Sequence, residues 1–243
     1  MPANDDDPFA RLLRKFARLV QIDADDRAAI EAMPFAVEPA RSGDYLVREG
    51  DIAQHCDILL AGYACRHKVT VEGRRQIVSF HLPGDILDLE HLSFARADHS
   101  VQLITDATVA RISSDVLKQV AASRPNIAEA LWRDSLIDGA IFREWILNVG
   151  RRDPKARIAH MLCEFAARRE AAGLGAPETL HLPMNVDEIA DATGLTAVHV
   201  NRSLASMEAD GTIGRAGKLL EIRDWGRLQQ VAGFDPLYLR AAA

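Results

Sequence analysis

The five glycines of residues 35–113 recur at short intervals and limit this part of the chain to short secondary-structure elements. They stand 7 to 12 residues apart, at Gly43, Gly50, Gly62, Gly73 and Gly84. The segments between them are short apolar runs such as YLVREG, CDILLAGYACRHKV and RQIVSFHL. Short apolar runs separated by turn residues are typical of antiparallel strands in a barrel or sandwich. We therefore predict an antiparallel β-domain here, with turns at VEGRR and LPGD.

Two short helices are predicted before the strands. Residues 8–22 have an amphipathic pattern, with one face formed by Phe9, Leu12, Leu13, Phe16, Leu19 and Val20. Such a face can dock on the β-domain or lie on a membrane surface, and we expect docking. A second helix over 24–33 is predicted from Asp23 as N-cap and from Pro34 as its end.

Helix returns from about 114 to 149, mainly in the run RPNIAEALWRDSLIDGAIFREWILNVG. Its apolar residues include Ile127, Leu131, Leu136, Ile137, Ile141, Trp145, Ile146 and Val149, which fall on more than one face. A helix that is apolar on several sides is buried on several sides. We expect one partner to be the β-domain and the second to be the same helix of another copy, which would give a two-fold dimer through residues 126–149. The alternative is a core helix of a monomer.

The segment GRRDP (150–154) breaks this helix, and we place a domain boundary near Gly150. Another helix is predicted over 155–171. Residues 151–243 hold 12 Lys and Arg and 12 Asp and Glu, so the whole net charge of -6 lies in residues 1–150. Any surface that attracts nucleic acid must therefore be local.

A helix-turn-helix is predicted in MNVDEIADATGLTAVHVNRSLASMEADGTI (184–213). Asn185 and Glu188 can form a capping box, and Gly194 suits the left-handed end of a helix. Thr196 is then the N-cap of a second helix, which buries Val200, Leu204 and Met207. In this motif the second helix enters the DNA major groove with its N-terminal residues at base edges.

The exposed N-terminal positions of the second helix carry groups that can read bases: Val198, His199, Asn201 and Arg202. Arg can form a fork with guanine, Asn can do so with adenine, and Val can contact a thymine methyl group. Thr196 can bond a phosphate. The alternative is an ordinary helical hairpin in a core.

A small β-hairpin is predicted after this helix, because Gly211, Gly214 and Gly217 alternate with short strand-like pieces. Arg215 and Lys218 would lie near its tip, where they can meet backbone phosphate. A helix-turn-helix followed by such a hairpin is a winged arrangement.

The order of these pieces resembles the Crp/Fnr family of bacterial transcription regulators over nearly the whole chain. The matching segments are GDYLVREGD (43–51), LPGD (82–85), the 126–149 helix, GRRDPKARIAHMLCEF (150–165) and DEIADATGLTAVHVNRSLASMEADGTI (187–213). The resemblance implies an α+β fold with an N-terminal, jelly-roll-like antiparallel β-roll of the cyclic-nucleotide-binding type, a long dimerisation helix and a C-terminal winged helix-turn-helix. The corresponding domains are 1–113, 114–150 and 151–243.

The function implied by the resemblance is a sequence-specific, homodimeric transcription regulator that binds a palindromic operator on double-stranded DNA and contacts RNA polymerase. Many relatives carry Glu-x-x-(Ser/Gly)-Arg at the base-reading positions, where this chain has Val198 to Arg202. Arg202 matches that pattern. Val198 replaces the Glu and removes an acceptor for cytosine, so we expect a different base pair there.

The possible effector pocket of the β-roll departs from the nucleotide-binding relatives. These relatives carry a Gly-Glu pair and then an Arg-Ser or Arg-Thr pair, where this chain has Asp88-Leu89 and His99-Ser100, with Glu90 out of register by one. Without the Arg, a buried phosphate lacks its fork partner. The other residue of this region is His91, and we expect no cofactor.

The sequence also gives little support for an iron–sulfur, haem or cysteine-based sensor. The iron–sulfur sensors carry N-terminal cysteines, but no cysteine precedes Cys56 here. A haem site would involve His91, His99 or His81, although a lone histidine is more often structural. Cys56, Cys65 and Cys163 are candidates for oxidation, but Cys56 and Cys163 lie in apolar runs that suit small core residues.

The sequence does not favour an enzyme or a secreted or membrane protein. It contains no nucleophile elbow, H-E-x-x-H motif, phosphate-binding glycine loop or pair of catalytic carboxylates. Glu90, His91 and His99 could be considered for acid–base or metal chemistry, but we expect no metal. An odd cysteine count, the absence of a signal peptide and the absence of a long apolar segment fit a cytoplasmic protein. The alternative function is that of a sensor with degenerate DNA binding. Such a sensor would act through protein partners or through a haem or redox ligand.

Tight binding of cyclic AMP is not expected, because no arginine follows the LPGD turn at the position that would neutralise its phosphate. Isothermal titration of the purified protein should show no micromolar binding. Micromolar or tighter affinity would contradict this prediction.

Overall fold

The computed structural model describes residues 8–52, 54–216 and 219–240. These residues form two compact units, one within 8–68 and 80–138 and the other within 69–79 and 139–240. Antiparallel sheets precede a long helix, and a helix-turn-helix follows it. The predicted α+β fold class is therefore confirmed.

The strands of residues 35–113 form two antiparallel sheets. Their bounds are β1 (Phe35–Ala40), β2 (Tyr45–Val47), β3 (His55–Ala61), β4 (Ala64–Val69), β5 (Arg75–His81), β6 (Ser100–Leu103) and β7 (Ala107–Ser113). One sheet has the order β1-β7-β3 and the other the order β2-β6-β4-β5. Ile112 of β7 stands opposite Phe35 on one side and Cys56 on the other, which sets the register of the first sheet.

Strand β7, in the centre of the β1-β7-β3 sheet, packs against apolar residues on both of its faces. Alternate residues of a strand point to opposite faces. In β7, Ala107 and Val109 belong to an apolar cluster with Val101 and Leu103 of the second sheet. Ala110 and Ile112 belong to a different cluster, which contains residues of the surrounding helices. Strand β7 therefore lies between the two apolar clusters.

The helices before the strands dock as predicted. Helix α1 (Ala10–Leu19) and the residue before it bury Phe9, Leu12, Leu13 and Phe16, each of which is 1% exposed. These residues lie in the same cluster as Ile112, so the apolar face is covered by protein. Asp23 caps α2 (Ala24–Glu31) and shares a capping box with Asp26.

The region after the strands, predicted to be helical over about 114–149, consists of two helices. Helix α3 (Ser114–Ser123) and helix α4 (Pro125–Arg151) are separated by Arg124, whose backbone is extended. The residue before a proline is disfavoured in the helical region, whereas proline itself suits the first turn of a helix. Pro125 therefore ends one helix and starts the next.

Helix α4 has two opposite faces with different surroundings. The buried face contains Ile127, Ala130, Leu131, Asp134, Ile141, Trp145 and Asn148. The exposed face carries large apolar residues at Trp132, Leu136, Ile146 and Leu147. At 3.6 residues per turn, these four fall within an arc of roughly 100° that is centred opposite the buried face. The prediction of a helix that is apolar on more than one side is confirmed.

Lys15 of α1 joins the N-terminal helix to two other segments of its unit. Its ammonium lies 2.9 Å from Asp85 Oδ1 in the LPGD turn and 2.8 Å from Asp134 Oδ1 in α4. Burial opposes the charge on Lys15, but the negative charges of Asp134 and Asp85 outweigh it and raise its pKa. The lysine is thus the shared counterion of two nearly buried carboxylates.

The C-terminal part consists of helices around a small sheet. Its elements are α5 (Pro154–Ala171), β8 (Thr179–His181), α6 (Val186–Thr193), α7 (Ala197–Ala209), β9 (Ile213–Ala216), β10 (Leu219–Ile222), α8 (Trp225–Ala232) and a 3-10 helix (Pro236–Leu239). The strands form an antiparallel sheet in the order β8-β10-β9. The sequence predicts the hairpin of β9 and β10, whereas β8 and α8 have no clear signal in it.

A buried carboxylate connects three elements of the C-terminal unit. Glu164 of α5 accepts hydrogen bonds from Trp145 Nε1 of α4 at 3.0 Å and from the Tyr238 hydroxyl at 2.7 Å. Burial raises the pKa of Glu164, and Arg168, Tyr238 and Trp145 oppose that shift. These bonds fix the end of α4 and the C-terminal 3-10 helix against α5.

Replacing Lys15 with methionine tests the shared counterion. Lys15→Met keeps the side-chain length but leaves Asp85 and Asp134 facing each other without a cation. The free energy of unfolding, measured by urea titration, should fall by about 3 kcal/mol. In the control Lys118→Met, which removes an exposed pair with Asp115, the loss should stay under about 1 kcal/mol. Equal losses in the two variants would contradict the role of Lys15.

Candidate nucleic-acid interface

The helix-turn-helix is built by local capping interactions. Asn185 accepts the backbone N–H of Glu188, and the Glu188 carboxylate accepts the backbone N–H of Asn185, so the predicted capping box starts α6. Gly194 ends α6 with a φ of 65°, in the left-handed region. Thr196 then caps α7 by accepting the backbone N–H of His199. Only glycine adopts that φ without a steric cost, so Gly194 fixes the turn between the helices.

Helix α7 separates its packing face from its polar face. Val200, Leu204 and Met207 are buried, each at most 3% exposed. The exposed positions of the first turns are the base-reading candidates Val198, His199, Asn201 and Arg202. Packing therefore holds the helix by one side and leaves the other side open to solvent.

Asn201 and Arg202 keep their hydrogen-bonding groups available. Neither side chain makes a hydrogen bond or an ion pair to any part of the chain that the structure describes. Thr196 and His199 differ, because the Thr196 hydroxyl lies 3.0 Å from His199 Nδ1. Asn201 and Arg202 can thus bind an external partner without breaking an internal bond.

Of the two residues predicted to contact phosphate from the hairpin, Arg215 and Lys218, the structure describes Arg215. Arg215 lies in β9, is exposed, and donates to Glu208 Oε2 of α7 from Nε at 3.1 Å and from Nη2 at 2.9 Å. Lys218 lies outside the described residues. A surface ion pair of this kind is weak, so Arg215 can exchange Glu208 for another anion at small cost.

The candidate effector region of the N-terminal unit is a cluster of charged side chains around His99. His99 Nε2 lies 3.1 Å from Asp88 Oδ1, and His99 Nδ1 lies 2.7 Å from Asp98 Oδ1 and 3.1 Å from Glu90 Oε1. Burial and the positive charge of Arg66 disfavour a charged ring, but the hydrogen bonds to Asp88 and Asp98 and the charge of Glu90 outweigh them and raise the pKa of His99. The imidazole is therefore enclosed by three carboxylates.

The structure brings together only part of the predicted effector region. Asp88, Glu90 and His99 meet, whereas the Ser100 hydroxyl accepts the backbone N–H of Glu49 and Leu89 packs on the apolar cluster of the helices. His91 is buried, and neither of its ring nitrogens has a hydrogen-bonding partner among the described residues.

Two members of the His99 environment are not predicted from the sequence. Asp98 directly precedes His99, and this adjacency is the only signal for it. Arg66 of β4 is nearly buried and donates to the carbonyl oxygen of Leu87 at 2.8 Å and to Asp138 at 3.3 Å. Its position depends on long-range packing that the sequence pattern does not reveal.

The three cysteines all lie in described segments, where they are buried and form no disulfide. Burial raises the pKa of Cys56 to about 11 and also raises that of Cys163. Thiols in such surroundings are protonated at neutral pH and react slowly with oxidants. Among the described residues, no helix combines the length and the apolar character needed to cross a membrane.

Comparison with known proteins agrees with this architecture. Residues 156–231 match the family model of the Crp-like helix-turn-helix domain, and residues 37–124 match that of the cyclic nucleotide-binding domain. The chain is 30% identical over 191 residues to the nitrogen fixation regulation protein FixK of Bradyrhizobium diazoefficiens, covering 79% of each chain. It is 27% identical over 227 residues to the transcriptional activator protein FnrL of Cereibacter sphaeroides, covering 92% of this chain and 90% of FnrL.

A solved structure supports the same relationship. The structure of FixK2 from Bradyrhizobium japonicum aligns with a TM-score of 0.75 and 27% identity, covering 82% of this chain and 98% of FixK2. These relatives are regulators of transcription rather than enzymes. With its Crp-like helix-turn-helix and its β-domain of the cyclic-nucleotide-binding type, the chain belongs to the Crp/Fnr family of transcription regulators.

Proposed function

We propose that this protein is a homodimeric, sequence-specific regulator that places helix α7 of each subunit in the DNA major groove of a palindromic operator. The observation that carries the proposal is the exposed face of α7, where Asn201 and Arg202 have no internal partner among the described residues. An unpaired guanidinium at the first turns of a capped recognition helix suits base-edge readout. Two such helices in a dimer would contact half-sites about 34 Å apart.

Each candidate residue has a proposed role. Arg202 would bond guanine O6 and N7, Asn201 would bond adenine, and Val198 would contact a thymine methyl group. Thr196 would bond a phosphate at the start of α7. His199, held against Thr196, would also face the groove.

The wing would add contacts to the DNA backbone. Arg215 would exchange its bond with Glu208 for a phosphate, and Lys218 would contact phosphate from the same hairpin. Such contacts contribute affinity but no sequence information.

The dimer would form through residues 126–149. The support is the exposed apolar stripe of α4, in which Trp132 is 65% and Ile146 is 69% exposed. Gly139 lies within that stripe and carries no side chain, so a partner helix can approach closely there. Leaving several large apolar side chains on one helix face in water is unfavourable, whereas a second copy would cover them symmetrically.

The remaining parts of the proposal concern organisation and control. The proposed domains are the sensor region 1–113, the dimerisation region 114–150 and the DNA-binding domain 151–243. RNA polymerase would be a partner, and the cytoplasm would be the location. The carboxylates of Asp88, Glu90 and Asp98 around His99 would repel a cyclic phosphate, which supports the absence of a cyclic AMP response.

Replacing Arg202 tests base readout. Arg202→Ala should weaken operator binding by about 1–3 kcal/mol and relax the preference at one position per half-site. Gel-shift titration against a set of single-base operator variants measures both effects. A matched control is Arg27→Ala, which removes an exposed arginine of α2 and should leave binding unchanged. An equal loss of affinity for all operator variants would make Arg202 a phosphate contact. If the unmodified protein gave no salt-dependent gel shift, a sensor with degenerate DNA binding would be favoured.

A charge in the α4 stripe tests the dimer. Ile146→Glu should convert the protein to a monomer in sedimentation equilibrium, because a carboxylate would be buried at the two-fold interface without a partner. Val71→Glu is the matched control, since Val71 is a fully exposed apolar residue of a turn. A dimer of unchanged stability in Ile146→Glu would show that the interface lies elsewhere.

A further inference from the structure

We propose that Glu90, Asp98 and His99 bind a divalent first-row transition-metal ion such as Zn²⁺, with Asp88 as the positioning residue that orients the His99 ring. This inference concerns the N-terminal unit and goes beyond the proposed DNA binding, on which it does not depend. It also revises the expectation from the sequence that no metal is bound.

The first observation is the spacing of the donor atoms. One nitrogen of His99 and one oxygen each of Glu90 and Asp98 lie within 4.8 Å of one another. An ion bound at about 2.0–2.2 Å from each donor fits a set of this size after small side-chain movements. Imidazole with carboxylates is a donor set that suits Zn²⁺ and its neighbours in the first transition row.

The second observation is the way the ring of His99 is held. Asp88 Oδ1 lies 3.1 Å from His99 Nε2, and Asp88 is 1% exposed. When Nε2 carries the hydrogen and donates to Asp88, the lone pair of Nδ1 points towards Glu90 and Asp98. A metal-binding histidine usually donates its other ring N–H to a carboxylate in this way.

The third observation is an uncompensated buried carboxylate oxygen. Asp88 Oδ2 has no hydrogen-bonding partner within the part of the chain that the structure describes. The positive charges of Arg66 and Lys68 act on this cluster from nearby, but neither supplies a hydrogen bond to Asp88 Oδ2. Buried anionic oxygens normally have a counterion or a hydrogen-bond donor, and a divalent ion on His99 would add positive charge beside this oxygen.

The neighbouring cations are already hydrogen-bonded elsewhere. Arg66 donates to the Leu87 carbonyl and to Asp138. Lys68 donates to Glu49 Oε1 at 2.6 Å and to the backbone carbonyl of Asp98. None of these four hydrogen bonds involves the carboxylate of Glu90 or Asp98. The Asp98 side chain is 83% exposed and that of Glu90 is 31% exposed, which gives an ion a route from solvent and room for water ligands.

The test uses the full chain, purified with a chelator and then freed of it. Isothermal titration with Zn²⁺ should show one ion per chain, and Co²⁺ should give visible absorption bands of a site with nitrogen and oxygen ligands. His99→Ala and Asp98→Asn should abolish both signals. Asp88→Asn should weaken binding about 10–100-fold, as expected for a residue that acts through a ligand.

Control variants separate loss of the site from loss of the fold. His55→Ala removes an exposed histidine outside the cluster and should bind Zn²⁺ like the unmodified protein. Glu90→Gln changes a partly exposed ligand, and circular dichroism of each metal-free variant reports whether it is folded. The inference is overturned if the unmodified protein binds neither ion, or if His99→Ala, Asp98→Asn and Glu90→Gln all bind with unchanged affinity.

The two proposals fail separately. Zn²⁺ binding without any gel shift would reject the proposed DNA binding and keep the metal site. A gel shift without Zn²⁺ or Co²⁺ binding would reject the metal site and keep the proposed function.

Discussion

A helix that is apolar on two opposite faces needs two partners, and helix α4 imposes this requirement on the protein. One face is buried through residues from Ile127 to Asn148, whereas Trp132, Leu136, Ile146 and Leu147 remain exposed opposite it. Leaving that second face in water is unfavourable. A two-fold pairing of α4 would resolve this and would bring two copies of the DNA-binding domain into one molecule. The proposed palindromic operator therefore depends on a property of a helix that lies outside the proposed reading surface.

Helix α7 differs from α4, because one of its faces packs against the protein and the other presents polar groups to solvent. Val200, Leu204 and Met207 anchor one face, so Asn201 and Arg202 can project from the other without internal partners among the described residues. The caps at Asn185 and Thr196 and the left-handed turn at Gly194 set the position of this helix. Local interactions thus decide the geometry of the proposed reading surface.

Features with a local physical cause could be predicted from the sequence. The caps at Asp23, Asn185 and Thr196, the turn at Gly194 and the apolar faces of α1 and α4 each follow from residues only a few positions apart. The break at Arg124 also has a local cause, which is the proline that follows it. The contacts of Lys15 with Asp85 and Asp134, and those of His99 with Asp88 and Glu90, join segments that only the fold brings together. Ion pairs of this kind leave no periodic pattern, so spacing does not predict them, and only the family resemblance assigns Asp88, Glu90 and His99 to one pocket.

The most direct measurement is the selection of bound sequences from a pool of random DNA by the full-length protein. A dimer that reads DNA through two copies of α7 should enrich an inverted repeat whose half-site centres lie about one helical turn apart, each half containing a guanine whose selection is lost in Arg202→Ala. Enrichment of a single unpaired motif, of direct repeats, or of no sequence at all would contradict this mode of recognition.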